Sequence, residues 1–208
     1  MEPLKIKSRI DLTEFETMYD SFDPGHDRRH MEEVRNCAVE LAQIYCPDMV
    51  EIAYVAATLH DIGLSISRDG HEKHGVEILN KNEKLKEAYT KEEVDLILEA
   101  VGEHRASTGK PRSIVAKIVS DSDKTGFTTS RVLQRAYDWG CEAFPTVNHD
   151  GQLLRAAYHL KLKFGGEGTG TRVYFKESKE RLNKVFEPIF NALGNDDLDT
   201  LNQILEKK

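Results

Sequence analysis

The sequence predicts an all-α protein, on three observations. Apolar residues recur at helical spacing through most of the 208 residues, as in Val34, Cys37, Ala38 and Leu41, or Leu182, Val185, Phe186, Ile189, Phe190 and Leu193. Turn-forming clusters such as Ser21-Phe22-Asp23-Pro24-Gly25 and Cys46-Pro47-Asp48 separate these stretches. Only Val173-Tyr174-Phe175 reads as a strand, and a single strand has nothing to pair with.

Taken in order, residues 8 to 20 read as a short amphipathic helix with Leu12, Phe15 and Met18 on one side. A long helix follows from about His26 to Tyr45, and His30, four residues before Val34, faces inward with its stripe. Asp48 is placed to cap the next helix, whose run Ile52-Ala53-Tyr54-Val55-Ala56-Ala57-Thr58-Leu59 is apolar enough to be buried. Gly63 is expected to end it in a left-handed conformation. Helices then read over 71–80 and 91–102, the second ending just before His104. Pro111 opens a helix through Ile114, Val115, Ile118 and Val119 to Asp121 and Asp123. Two more follow at about 129–144 and 151–163, then a glycine-rich loop over 164–171 and a last helix from Lys176. No repeat, low-complexity tract or boundary appears. The expectation is a single domain over 1–208, with its core motifs in about 21–135 and a helical extension over about 150–208.

The formal charge of −7 and pI near 5.7 give no basic footprint for nucleic acid. No apolar run approaches the ~20 residues that cross a bilayer, so no membrane role is expected. Met1-Glu2-Pro3-Leu4-Lys5-Ile6-Lys7 lacks the apolar core of a signal peptide, which predicts a cytoplasmic location. Cys37, Cys46 and Cys141 are odd in number and far apart, fitting neither a disulfide framework nor a zinc-thiolate site. They read as buried free thiols.

The stretch with chemistry is Leu59-His60-Asp61-Ile62-Gly63, where a histidine and an aspartate stand side by side at the end of an apolar helix. An imidazole nitrogen with a carboxylate oxygen suits a divalent transition metal better than calcium. An isolated His-Asp dipeptide is more often a cap and a solvated acid. Here it has company, because His30, His74, His104 and Asp123 each fall at or near the end of an apolar helix. Bundles project ligands into a shared interior in this way.

The pattern resembles the HD-domain superfamily of metal-dependent phosphohydrolases. The resemblance rests on Gly25-His26-Asp27-Arg28-Arg29-His30 with Val34, on Thr58-Leu59-His60-Asp61-Ile62-Gly63, and on Ile118-Val119-Ser120-Asp121-Ser122-Asp123-Lys124. It implies a helical bundle in which His30, His60, Asp61 and Asp123 hold one metal. Helical rotation separates the two late aspartates: Asp123 follows Val115 and Val119 in steps of four, while Asp121 is turned by about 200°. Asp123 is preferred, with Asp121 kept as a candidate behind it. Some members hold a second metal with two further histidines. The resemblance carries these roles to His74 and His104, with His71 as the competitor three residues from His74. Arg105-Ala106-Ser107-Thr108-Gly109-Lys110-Pro111 contains no Gly-Tyr-Pro segment, which sets the chain apart from the HD-GYP branch.

The resemblance therefore implies hydrolysis of a phosphate ester or anhydride in a small nucleotide or related metabolite. One or two divalent metals (manganese, iron, cobalt, nickel or zinc) would serve as cofactors. Asp61, with two oxygens, could bridge two metals. Lys124 and Arg105 are the expected phosphate contacts, with Arg29 a weaker one. Rival readings are a dinuclear-iron oxygenase on the same scaffold and a non-enzymatic nucleotide-binding signalling module. The apolar final helix is suited to a homodimer.

Overall fold

The computed structural model describes residues 6–166 and 168–207. Residues 1–5, which carry most of the amino-terminal stretch read for a leader, and Glu167 of the glycine-rich loop lie outside the described residues. Among the described residues the regular structure is helical, with no strand. The all-α expectation holds, and Val173-Tyr174-Phe175 is not a strand. The chain divides into two compact units, Met1–Gly126 and Phe127–Lys208.

The first unit contains α1 (Thr13–Met18), α2 (Arg28–Tyr45), α3 (Val50–Leu59), α4 (His71–Asn80), α5 (Glu83–Ala88), α6 (Lys91–Glu103) and α7 (Ile114–Thr125). Helix α2 packs on α3 and α7, and α6 packs on α3, α4 and α7. Their shared interior buries Tyr19, Met31, Val34, Leu41, Ile52, Leu59, Ile62, Leu79, Leu85, Ile97 and Ile118. Side-chain caps set several helix starts: Asp27 accepts from the His30 amide at 2.9 Å, and Ser113 from the Ala116 amide at 3.1 Å. Thr90 and Glu93 form a reciprocal capping box on α6. Asp48 caps nothing, because Pro47–Met49 forms a short 3-10 turn and α3 begins one residue later.

Gly63 has a different role from the one expected. It sits in a 3-10 turn, Ile62–Ser65, and the left-handed glycine is Gly70, just before α4. A Cβ on Gly63 would collide with the backbone oxygen of His71 and lie 2.5 Å from the Gly75 nitrogen. A Cβ on Gly75 would lie 2.8 Å from Val101 Cγ1. The two glycines thus let α4 approach both the 3-10 turn and α6.

The second unit contains α8 (Thr129–Ala143), α9 (His149–Phe164), α10 (Lys176–Gly194) and α11 (Leu198–Glu206). Its core includes Leu133, Leu153, Leu160, Leu182, Phe186, Ile189 and Leu201, with Phe164 stacked on Phe186 at 4.2 Å. The apolar stripe of α10, which suggested a dimer surface, is occupied by this core. Of the cysteines Cys37 is buried, while Cys46 and Cys141 are half-buried; all three are free thiols.

Gly63→Ala should therefore be costly, since backbone and not a flexible side chain would have to yield. Overpacking of this kind costs about 1–3 kcal/mol or more. The expected result is a lowered melting temperature together with displacement of His71, read by its imidazole resonances.

Candidate metal centre

Five helix ends converge in the first unit. His30 is the third residue of α2, one turn inside the Asp27 cap. His60 and Asp61 follow the last residue of α3 directly. His71 opens α4, His104 follows α6, and Asp123 lies in the last turn of α7. The turn at His60-Asp61 is pinned by Tyr19, whose hydroxyl donates to the Thr58 carbonyl at 2.8 Å and accepts from the Asp61 amide at 3.2 Å. Tyr19 is fully buried, and burial beside Asp61 raises its phenol well above the ordinary range.

The side chains fall into two groups that share Asp61. In the first, His30 Nε2 and His60 Nε2 are 3.3 Å apart and lie 3.5 Å and 3.0 Å from Asp61 Oδ2. Asp123 Oδ1 completes it, 3.4 Å from His30 Nε2 and 4.0 Å from His60 Nε2. In the second, His71 Nε2 and His104 Nε2 are 3.1 Å apart and lie 3.2 Å and 3.4 Å from Asp61 Oδ1. Donor atoms of His30, His60 and Asp61 all lie within 4.8 Å of one another, as do those of Asp61, His71 and His104.

The outer nitrogens fix the tautomers. His60 Nδ1 donates to the Ala57 carbonyl at 2.8 Å, His71 Nδ1 to the Arg68 carbonyl at 3.1 Å, and His104 Nδ1 to the Val101 carbonyl at 2.7 Å. Each carbonyl lies three residues before its histidine, and a carbonyl can only accept. The proton therefore sits on Nδ1, and the Nε2 lone pairs face inward. Lone pairs this close repel unless positive charge lies between them. Asp61 Oδ2 is buried and accepts no hydrogen bond in the described structure. Burial works against the charge of Asp61, but the electrostatic pull of His60, followed by side-chain contacts with His104 and His30, holds its carboxyl well below the usual range. Asp123 is held low in the same way, its burial outweighed by His30 and then His60. A divalent cation held by these donors would supply such charge and engage the inward nitrogens, so the donor set fits a metal.

Residues 28–127 match the family model of the HD domain. They belong to the HD-domain family. The match begins at the first residue of α2 and ends one residue past the first unit. HD domains bind divalent metals and are generally metal-dependent hydrolases, and the two His/Asp groups are compatible with that superfamily. Searches of curated proteins and of solved structures found no match to the chain.

Within the HD domain, the structure brings together His30, His60, Asp61, His104 and Asp123 but does not bring in His74. That side chain is 29% exposed, with Nδ1 3.8 Å from Glu77 Oε2. His71 occupies the place expected for it, because α4 starts immediately after Gly70 and its first residue faces Asp61. Asp121 is turned away from the imidazoles and lies 3.5 Å from Lys124 Nζ. Lys124 is only 4% exposed, and burial pulls its ammonium below the ordinary lysine range against the pull of Asp121 and Asp123. Arg105 is at the surface, 3.5 Å from Glu72 Oε2, and Arg29 pairs with Glu33 on the outside of α2. His149, bonded to Tyr137 and Asn202, and His159, stacked on Trp139, belong to the second unit.

Tyr19 and Glu72 were missed by the sequence reading. Tyr19 has no periodic signal, since it lies in a 3-10 turn and acts across some forty residues of chain. Glu72 follows His71 and shares its burial, so a correct choice of His71 would have pointed to it.

The burial of Lys124 changes what its removal should do. Lys124→Met keeps the stem but leaves the Asp121 carboxylate buried without this ammonium. Breaking such a pair costs about 3–5 kcal/mol. Denaturant unfolding should show a loss of that order, whereas a solvated surface lysine would give almost none.

Proposed function

We propose that the chain is a dinuclear metal-dependent phosphohydrolase acting on a small nucleotide or a related phosphorylated metabolite. The observation that carries the reading is the division of Asp61: Oδ2 serves the His30, His60 and Asp123 group, and Oδ1 the His71 and His104 group. A carboxylate with each oxygen facing a separate pair of inward imidazole nitrogens is suited to bridging. Divalent metals bound there would offset the negative charge of a phosphate and acidify water, by up to about 8 pKa units in the best case.

The protein's own residues have three tasks. The Nδ1 hydrogen bonds of His60, His71 and His104 hold the rings in the ligating tautomer. Tyr19 fixes the backbone from which Asp61 projects. Arg105, beside His104 and partly exposed, is the first cation available to a phosphate oxygen. Lys124 stands closer to Asp121, so its contribution runs through the position of α7 and the local field. The nucleotide preference rests on the resemblance to the HD-domain phosphohydrolases.

Metal analysis of the purified protein followed by a panel of phosphorylated metabolites tests the reading. About two metal equivalents per chain are expected at saturation. His104→Ala should lose the second equivalent before the first. Asp61→Ala should abolish hydrolysis while the helical signal persists. Hydrolysis should continue without oxygen, which separates it from an oxygenase. Full activity of Asp61→Ala, or of thoroughly chelated protein, would falsify the proposal.

A further inference from the structure

The second unit leaves an apolar surface in solvent. Trp139 on α8, Phe144 and Val147 just after it, and Tyr158 and Leu162 on α9 are all exposed, Tyr158 to 58% and Leu162 to 63%. The Trp139 ring meets the Phe144 ring edge-on, with centroids 5.8 Å apart, and stacks on the His159 ring of α9 at 6.1 Å. Tyr158 and Leu162 stand one turn apart on the same side of α9. The stripe of α10, by contrast, faces the unit's own core. A contiguous exposed apolar patch marks an interaction surface.

Along α9 the outward face reads Gly151, Arg155, Tyr158 and Leu162, at steps of four, three and four. That is the spacing of a helix–helix seam. Val147 covers Gly151, where a Cβ would lie 2.7 Å from Val147 Cγ1. Arg155 does not put its charge into the seam. Its Nε donates to Gln152 Oε1 at 2.9 Å, its Nη2 donates to the Ala136 carbonyl, and its guanidinium carbon lies 5.2 Å from the centre of the Trp139 ring. The guanidinium rests against Gly140, where a Cβ would collide with it, so the charge is drawn aside toward α8. Gln152 fixes this arrangement by donating to the Gly140 and Phe144 carbonyls at 2.9 Å and 2.6 Å.

We propose that this face seats on the same face of a second copy of the chain, with the two α9 helices antiparallel about a two-fold axis. One register serves the whole seam. With Leu162 opposite Gly151 and its covering Val147, Tyr158 falls opposite Arg155, beside the Trp139 and Phe144 rings, and the symmetry repeats both contacts. The charges select the antiparallel direction. Asp150 lies in the first turn of α9, and Lys161 and Lys163 lie in the last. Asp150 and Lys161 fall within about 20° of each other around the helix, on one side of the seam. In this register Lys161 is offset from the second copy's Asp150 by two residues, about 3 Å along the axis, within reach of a lysine stem. A parallel pair would set acid against acid and lysine against lysine.

Sedimentation equilibrium of the full chain, over a wide range of concentration, tests the pairing. The parent should approach twice the chain mass at the upper end. Leu162→Asp and Tyr158→Asp each put a carboxylate into the seam twice, and each should weaken association on the order of a hundredfold. Both side chains are exposed, so at low concentration, where the parent is also monomeric, helical signal and melting temperature should match the parent. Asp150→Lys and Lys161→Glu should each weaken the dimer severalfold, and the two together in one chain should restore it. A purely local role for either residue gives no such rescue. Metal content should stay at the parent level throughout, since the face lies outside residues 28–127. A parent that stays monomeric at every concentration overturns the inference, as does a dimer that persists unchanged in Leu162→Asp and Tyr158→Asp. A double exchange that associates no better than its two single exchanges overturns the antiparallel seating.

Discussion

A buried carboxylate set among imidazole nitrogens is the constraint on which the first unit depends. Asp61 is almost wholly removed from water, and an ionised carboxylate in that position costs several kcal/mol unless positive charge meets it. Both of its oxygens face histidines, so α2, α3, α4 and α6 must each end, or begin, at the same place. The backbone serves that requirement. The Tyr19 hydroxyl holds the turn after α3, and Gly63 with Gly75 removes the bulk that would keep α4 at a distance. Changes at these supports act on the chemistry without touching a donor atom.

Much of this was legible because helical periodicity tells which way a residue faces. His30 shares the stripe of Val34, and Asp123 that of Val115 and Val119, so each could be placed on an inner face before any coordinates. The His60-Asp61 pair was legible as an abrupt polar end to an apolar run. The choice between His71 and His74 was not. They lie three residues apart on one helix, and what decides between them is the starting point of α4 after Gly70 and its contact with Gly63. That contact is not encoded in the local pattern.

Gly63 illustrates the same limit from the other side. A glycine after a helix fits equally a left-handed residue and a site of close backbone approach, and only the neighbouring chain distinguishes them. Lys124 is a third case. The sequence offered it as a phosphate contact, and α7 turns it inward beside Asp121. Burial of a single long side chain depends on which helices cover it, and periodicity supplies only its direction.

The outer hydrogen bonds of His60, His71 and His104 all run to carbonyls three residues back along the chain. Main-chain oxygens survive every amino-acid exchange, so no single substitution at Ala57, Arg68 or Val101 can delete the acceptor. The side chains at those positions are accordingly released from any duty to the rings. Position 68 can therefore change its side chain without removing the oxygen that orients His71. A ring held by main chain alone keeps its direction while the surface around it varies.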